Sequence, residues 1–143
     1  DTLQAAVLLA KMEIFEDEVS ARARIGERYS ALIHEAFDGA GKGARVVVPY
    51  LAEGCTSVYA QYTIQVENRA TVEAGLKQRG VPTAVHYPVP LHFQPVFADL
   101  QLARGAFPHS ESASDRVMSL PMHPYLTEEQ QVSVVQALKE AVA

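Results

Sequence analysis

The first 37 residues carry the hydrophobic spacing of an α-helix. Apolar side chains recur there at intervals of three and four residues, at Leu3, Val7, Ala10 and Ile14 and then at Ile25, Tyr29, Leu32 and Ala36. No proline interrupts this stretch, and its one glycine, Gly26, weakens a helix only locally. The pattern therefore predicts a single long helix over residues 1–37, about 55 Å in length at roughly 1.5 Å per residue.

The beginning of this helix is apolar on every side. Residues 5–10 read Ala-Ala-Val-Leu-Leu-Ala, whereas residues 16–24 are rich in charge. A helix that is apolar around its whole circumference is normally buried, and a helix of this length overhangs a domain roughly 35–40 Å across. We therefore expect the first fifteen residues to pack against an upstream domain or a second subunit, so that the chain is part of a larger protein. The alternative is a bent helix that covers its own core.

Three shorter segments have the pattern of β-strands. Residues 45–48 are predicted to form a short strand that stops at Pro49, and residues 83–87 a further strand that stops at Pro88. The clearest strand is 58–66, where alternation places one set of side chains on the dry face: Val58, Ala60, Tyr62, Ile64 and Val66. The sequence thus predicts a small three-stranded sheet.

Helices are predicted to flank this sheet. One covers about residues 69–79, with Val72 and Leu76 inward and Gly80 as its C-terminal cap. Another starts at the capping box of Thr127 and runs to the end of the chain. Seven of the eight prolines lie between residues 82 and 124, which predicts a stiffened loop with short helices there. The predicted fold is α/β, with residues 1–37 as a linking helix and residues 38–143 as a small domain.

Composition and charge narrow the classes of partner. The 143 residues include 12 Lys and Arg against 17 Asp and Glu, a net charge of −5, which argues against a nucleic-acid partner. No run approaches the roughly 18 apolar residues of a membrane span. A single cysteine, Cys55, cannot form an internal disulfide, and this favours a cytoplasmic location.

The segment from residue 86 to residue 95 is the best candidate for binding a ligand. Its three prolines restrict the loop, so polar side chains can be presented at little cost in ordering. His86, Tyr87, His92 and Gln94 can hydrogen-bond hydroxyl, phosphate or carboxylate groups. Strand alternation places His86 and Tyr87 on opposite faces unless the strand twists at Pro88. The alternative is that these are rim residues whose hydrogen bonds are satisfied locally.

Other kinds of site are not supported. The two histidines of this loop have no nearby set of Cys, Asp or Glu that would complete a metal site. No G-x-S-x-G elbow occurs, and none of the four lysines stands in a pattern that would lower its pKa. The glycine-rich residues 38–43 lack the Ser or Thr of a phosphate-binding loop. No residue is therefore predicted to be catalytic or to bind a metal.

Six motifs stand in a recognisable order along the whole chain. They are Asp1-Thr2-Leu3-Gln4-Ala5-Ala6-Val7-Leu8-Leu9-Ala10-Lys11, Val58-Tyr59-Ala60-Gln61-Tyr62, Asn68-Arg69, Gly80-Val81-Pro82-Thr83, His86-Tyr87-Pro88-Val89-Pro90-Leu91-His92 and Ser119-Leu120-Pro121-Met122-His123-Pro124. In these motifs the chain resembles the DegT/DnrJ/EryC1/StrS family of nucleotide-sugar aminotransferases. The resemblance corresponds to the C-terminal small domain and the helix that enters it.

The resemblance implies a homodimeric pyridoxal-phosphate enzyme of the aspartate-aminotransferase fold type. Such an enzyme moves an amino group, usually from glutamate, to a nucleotide-linked keto-sugar, here expected to be a UDP-linked 3-keto-hexuronic acid in polysaccharide or amino-sugar biosynthesis. The large domain would carry the Schiff-base lysine and most cofactor contacts, so no cofactor-binding residue transfers to this chain, and the chain alone should be inactive. His86 and Tyr87 match positions that edge the substrate cleft, and His92 matches the loop that follows. The alternatives are a dehydratase relative and a non-catalytic α/β binding module.

Overall fold

The computed structural model describes residues 1–37 and 45–143. The described helices are α1 (Thr2–Met12), α2 (Phe15–Ala36), α3 (Arg69–Gln78), α4 (Pro108–Arg116) and α5 (Glu128–Val142). The described strands are β1 (Val46–Val47), β2 (Tyr62–Val66) and β3 (Val117–Leu120), and two 3₁₀ helices span Leu91–Phe93 and Pro95–Leu100. The glycine-rich residues 38–43 lie outside the described residues. Of the helices described, none has both the length and the apolar character of a membrane span.

The sheet is antiparallel, with β2 in the centre and the order β1-β2-β3. Its register pairs Tyr62 with Leu120 and Ile64 with Met118, while Val46 pairs with Val66. Because side chains alternate along a strand, Tyr62, Ile64 and Val66 share one face, and all three are fully buried. The predicted alternation is therefore confirmed for Tyr62, Ile64 and Val66.

Helices α2, α3 and α5 cover that buried face. The ring of Tyr29 from α2 lies 5.0 Å from that of Tyr62, and its hydroxyl donates to the carbonyl of Pro121 at 3.1 Å. Helix α5 lies beside both α2 and α3. Between α5 and α2, the side chain of the fully buried Gln131 donates to the carbonyl of Ile25 at 2.9 Å. Between α5 and α3 the packing is so close that a Cβ on Gly75 would lie 2.9 Å from the Cβ of Ala141. The predicted α/β fold with a three-stranded sheet flanked by helices is confirmed.

The third strand is not the one that the sequence predicted. Residues 83–87 form a single β-bridge, between Ala84 and Ser119, and no strand. The third strand is instead β3, inside the region predicted to be a proline-stiffened loop. Pro82 and Pro88 bracket the predicted strand, and proline cannot donate to a sheet ladder, so pairing does not spread from Ala84.

The prediction of a strand over residues 58–66 is also wrong for residues 58–61. Regular pairing starts only at Tyr62, because Tyr59 has a φ of 41° and interrupts the extended backbone. The interruption reverses the predicted faces, so Tyr59 is buried whereas Val58 and Ala60 are exposed. The side chain of Arg22 holds this turn against α2 by donating to the carbonyls of residues 58, 59 and 60 at 3.0, 2.8 and 2.9 Å.

The long N-terminal helix is interrupted. Helix α1 ends at Met12 and α2 begins at Phe15, with Ile14 outside helical geometry at φ −111° and ψ 3°. The amides of Glu13 and Ile14 donate to carbonyls three residues back, which tightens and closes the last turn of α1. Helix α1 has no buried residue. Among the described residues it therefore does not cover the core, as the alternative of a bent helix required.

Both shorter helices are confirmed, and so are the signals at their ends. Helix α3 buries Val72 and Leu76 and is followed by Gly80 at φ +74°. Helix α5 begins with a reciprocal capping box, in which the Gln130 amide donates to Thr127 Oγ1 at 3.2 Å and the Thr127 amide donates to the Gln130 side chain at 2.9 Å.

Loss of this cap should have a measurable cost. Thr127→Ala removes the acceptor of the Gln130 amide, so we expect the free energy of unfolding to fall by about 1 kcal/mol. Urea denaturation of the intact protein measures this change, with Thr127→Ser as the control that retains the hydroxyl. Equal losses in both variants would show that the cap is not the cause.

Candidate functional site

A cavity of about 470 Å³ lies between the proline-rich segment and α4. One wall comes from residues 86–94, and the other from α4 and the first residue of β3. The lining residues are His86, Tyr87, Val89, Pro90, Leu91, Gln94, Ser110, Ala113, Ser114 and Val117. Its volume falls in the range of small-molecule sites, and its polar groups are few, as is usual for such sites.

The structure brings His86 and Tyr87 together at this cavity. Their rings stand edge to face, with centroids 5.7 Å apart and planes inclined by 76°, and the peptide bond between them is cis. The expected separation onto two faces does not occur, since this segment is not a strand. Tyr87 is 76% exposed, and neither side chain hydrogen-bonds another described residue. Both polar groups are therefore available to a ligand.

His92 lies apart from these two residues. It does not line the cavity, and its side chain is 9% exposed, with Nε2 at 3.2 Å from the carboxylate of Glu111. Its ring packs between those of Phe93 and Phe107, at centroid distances of 4.1 and 4.9 Å. The predicted contact between His92 and substrate stays a prediction, and the geometry places this histidine behind the cavity wall.

Glu111 is the residue that sequence reasoning missed. Both of its carboxylate oxygens accept the amide of Gly105 at 2.9 Å, and one also accepts the amide of Phe107 at 3.3 Å. The Gly105 amide, followed by that of Phe107 and by His92, lowers the pKa of Glu111 against the opposing effect of desolvation. Since this carboxyl has a lowered pKa, its bonds stabilise the fold above the ordinary carboxyl pKa and are lost as pH falls through the lowered one.

Two other polar side chains at the cavity, those of Gln94 and Ser114, already have partners. Gln94, a candidate from the sequence, lines the cavity and donates to the carbonyl of Val89 at 3.3 Å. The hydroxyl of Ser114 donates to the carbonyl of Glu111 at 2.8 Å. Among the described residues that line the cavity, His86, Tyr87 and Ser110 then have polar side chains without a hydrogen-bond partner, and the rings of His86 and Tyr87 lie side by side.

Metal binding finds no support within residues 1–37 and 45–143. No group of three or more His, Cys, Asp or Glu side chains is placed there to hold a metal ion. Cys55 is a free and exposed thiol.

Comparison with known proteins identifies the chain's relatives. Residues 1–139 match the DegT/DnrJ/EryC1/StrS aminotransferase family. The chain belongs to this family. Its resemblance to the family, first seen in the order of the six motifs, is thereby confirmed.

Individual family members agree with the fold described above. The chain is 46% identical over 126 residues to the UDP-2-acetamido-2-deoxy-3-oxo-D-glucuronate aminotransferase of Pseudomonas aeruginosa, covering 88% of this chain and 32% of that protein. It superposes with a TM-score of 0.84 on a DegT DnrJ EryC1 StrS aminotransferase from Brucella abortus, at 41% identity, covering 98% and 35% of the two chains. NtdA from Bacillus subtilis, a structure with bound cofactor PMP, gives 0.81 at 28% identity, covering 99% and 32%. The chain spans about a third of the length of the curated relatives it matches.

Aminotransferases of this family use pyridoxal phosphate, but the described residues do not form a site for that cofactor by themselves. Pyridoxal phosphate is held by a lysine Schiff base with an acidic or basic partner at its ring nitrogen. The lysines that the structure describes, Lys11, Lys77 and Lys139, are exposed on α1, α3 and α5, and none lines the cavity. We therefore assign no cofactor contact to this part of the chain.

Proposed function

We propose that this chain forms the substrate-facing C-terminal part of a pyridoxal-phosphate-dependent sugar aminotransferase, in which His86 and Tyr87 contact a nucleotide-linked keto-sugar. The observation that carries the proposal is the cavity in which these two side chains lie side by side, with no hydrogen-bond partner among residues 1–37 and 45–143. An imidazole and a phenol can each donate or accept, which suits the hydroxyl, carboxylate and phosphate oxygens of such a ligand.

The Pseudomonas relative supports a more specific proposal for the substrate. Its name specifies a UDP-linked 3-oxo-glucuronate, and nearly nine-tenths of this chain aligns with it. We infer a UDP-linked 3-keto-hexuronic acid as the amino acceptor and glutamate as the donor, in the biosynthesis of surface polysaccharide or amino sugars. We also propose a cytoplasmic location for this enzyme.

The exposed apolar surface of α1 supports a further part of this proposal. Leu3, Leu8 and Leu9 are 80%, 63% and 73% exposed on a helix without a single buried residue. Such a surface is costly in water and marks a contact with other protein. We propose that residues 1–37 link to a large domain, that α1 packs on that domain near a homodimer interface, and that residues 38–143 form the small domain.

In this arrangement the large domain holds the Schiff-base lysine and most of the cofactor. The exposed positions of Lys11, Lys77 and Lys139 support this division of roles. The 143-residue chain alone should then catalyse no transamination.

Substitution at the cavity tests the proposal in the intact protein. His86→Ala and Tyr87→Phe each remove hydrogen-bonding capacity, so KM for the nucleotide sugar should rise roughly 2- to 10-fold. The absorption spectrum of the bound cofactor should not change, because no described residue of the cavity is assigned to the cofactor. Steady-state kinetics and absorption spectroscopy make the two measurements.

Matched controls are available for both residues. Tyr50→Phe alters a tyrosine that is 90% exposed and outside the cavity, and His109→Ala alters an exposed histidine of α4. Both controls should retain wild-type kinetics. If His86→Ala and Tyr87→Phe also retain wild-type KM and kcat, the assignment of the site is wrong.

A further inference from the structure

We propose that Glu111 is a positioning residue that fixes one wall of the substrate cavity. The wall belongs to residues 88–107, which we name the cavity loop. The inference rests on the proposed function, since it assigns Glu111 a part in binding the same nucleotide sugar. Glu111 does not line the cavity and does not need to touch the ligand.

The cavity loop depends on Glu111 for its hydrogen bonds to the rest of the protein. Its other described bonds are local, for example from the Gln94 amide to the Leu91 carbonyl at 3.0 Å and from the Phe97 amide to the Gln94 carbonyl at 2.9 Å. Every hydrogen bond described between this loop and the remainder of the chain involves the carboxylate or the backbone amide of Glu111. The described hydrogen bonds therefore attach the loop to α4 at a single residue, Glu111, mainly through its side chain.

The carboxylate of Glu111 holds the loop at two separate points. At the end of the loop it accepts the amides of Gly105 and Phe107, and near the beginning of the loop it lies 3.2 Å from Nε2 of His92. Glu111 is 7% exposed, so these partners replace most of its contact with water. A carboxylate removed from water requires such partners, and this requirement is what keeps the loop and the helix together.

The contact between Glu111 and His92 connects Glu111 to the residues that line the cavity. His92 is adjacent to Leu91, which lines the cavity, and lies two residues from Gln94, which lines it as well. Packing between the rings of Phe93 and Phe107 leaves the imidazole of His92 little freedom. A wall that is ordered before the ligand arrives lowers the entropic cost of binding.

The rate of proteolysis measures how firmly Glu111 holds the cavity loop, and it does not require an activity assay. The amide that Gly105 donates to Glu111 belongs to the Arg104–Gly105 bond, which trypsin can cut only after the loop opens. In the intact protein Glu111→Gln should speed cleavage at this bond about tenfold, because the amide side chain accepts fewer and weaker hydrogen bonds. Mass spectrometry identifies the cut, and cleavage after Lys77 on α3 serves as the internal reference. Equal cleavage rates in wild type and Glu111→Gln would overturn the inference.

Asp115→Asn is the matched control for the loss of charge. Asp115 is an exposed residue of α4 whose side chain makes no hydrogen bond in the part of the chain that the structure describes. Its substitution should leave cleavage after Arg104 at the wild-type rate. A tenfold increase in this control as well would overturn the assignment to Glu111.

Kinetics separate a positioning role from a purely structural one. Glu111→Gln should raise KM for the nucleotide sugar about threefold to tenfold through the loss of preorganisation, with kcat and the cofactor spectrum unchanged. His92→Phe should have the same effect, whereas His92→Gln retains an N–H donor and should largely restore KM. This second pair decides the question if Glu111→Gln does not fold.

The failure of this inference can be told apart from the failure of the proposed function. If Tyr87→Phe raises KM while Glu111→Gln and His92→Phe do not, Glu111 does not position the wall and the proposed function stands. If His86→Ala and Tyr87→Phe leave KM unchanged as well, the cavity is not the substrate site and both proposals fail.

Discussion

Substitution of Gly26 by alanine is expected to lower the free energy of unfolding by about 3 kcal/mol, the cost of overpacking a tight contact. A Cβ at this position would lie 2.2 Å from Cδ2 and 2.4 Å from Cε2 of the Tyr59 ring. Tyr59 cannot easily withdraw, because its carbonyl accepts from Arg22 at 2.8 Å and its ring packs 5.6 Å from that of Tyr62. Urea denaturation of the intact protein measures the change.

The expected loss of stability distinguishes Gly26 from an ordinary glycine inside a helix. In the interior of a helix Gly→Ala normally stabilises by up to about 1 kcal/mol, so increased stability of Gly26→Ala would contradict the contact described here. The double variant Gly26→Ala with Tyr59→Leu provides the control, since removal of the ring should make the two losses less than additive.

A comparably large effect is expected from Leu8→Asp in α1. If α1 packs against other protein, the substitution places a carboxylate in an apolar contact and removes a buried leucine side chain. The combined loss should be about 3 kcal/mol or more. Thermal unfolding and the oligomeric state of the intact protein, followed by sedimentation, should both change.

Val132→Asp is the matched control for this experiment. Val132 is 52% exposed on α5 and, like Leu8, is a partly exposed apolar side chain on a helix. Its substitution should have little effect on either measurement. If Leu8→Asp behaves in the same way, α1 is exposed to solvent in the intact protein and the proposed contact does not exist.

Elements with local signals could be predicted from the sequence. Helix α5 begins with a capping box at Thr127, and α3 ends before a glycine with positive φ, so both have recognisable ends. Strand β2 alternates strictly over Tyr62–Val66 because one of its faces is buried under helices. In each case the physical cause acts within a few residues, where a sequence pattern records it.

Elements that depend on distant partners could not be predicted. Strand β3 lies amid prolines, and its backbone is ordered by β2, whose Thr63 pairs with Ser119, 56 residues further along the chain. Residues 83–87 have as good a local pattern but find pairing only at Ala84. The interruption at Ile14 contains neither proline nor glycine, so nothing in the local sequence marks it.

The same distinction applies to the candidate site. His86 and Tyr87 could be singled out because they are polar residues at the start of a proline-rich loop. Glu111 could not, because an acidic residue in the first turn of a helix is common and its main partners are backbone amides, which any sequence supplies. Its approach to His92 spans 19 residues and exists only once the loop has folded back on α4.

The buried amide of Gln131 has a consequence for how α5 can sit on α2. Contacts between hydrocarbon side chains are not directional, so they define the alignment of two helices less sharply than a hydrogen bond does. The Gln131 amide has one backbone acceptor, the carbonyl of Ile25, and its oxygen accepts from Arg28 at 3.2 Å. Displacement by one turn would separate the buried amide from both partners, so this side chain favours one axial alignment of the two helices.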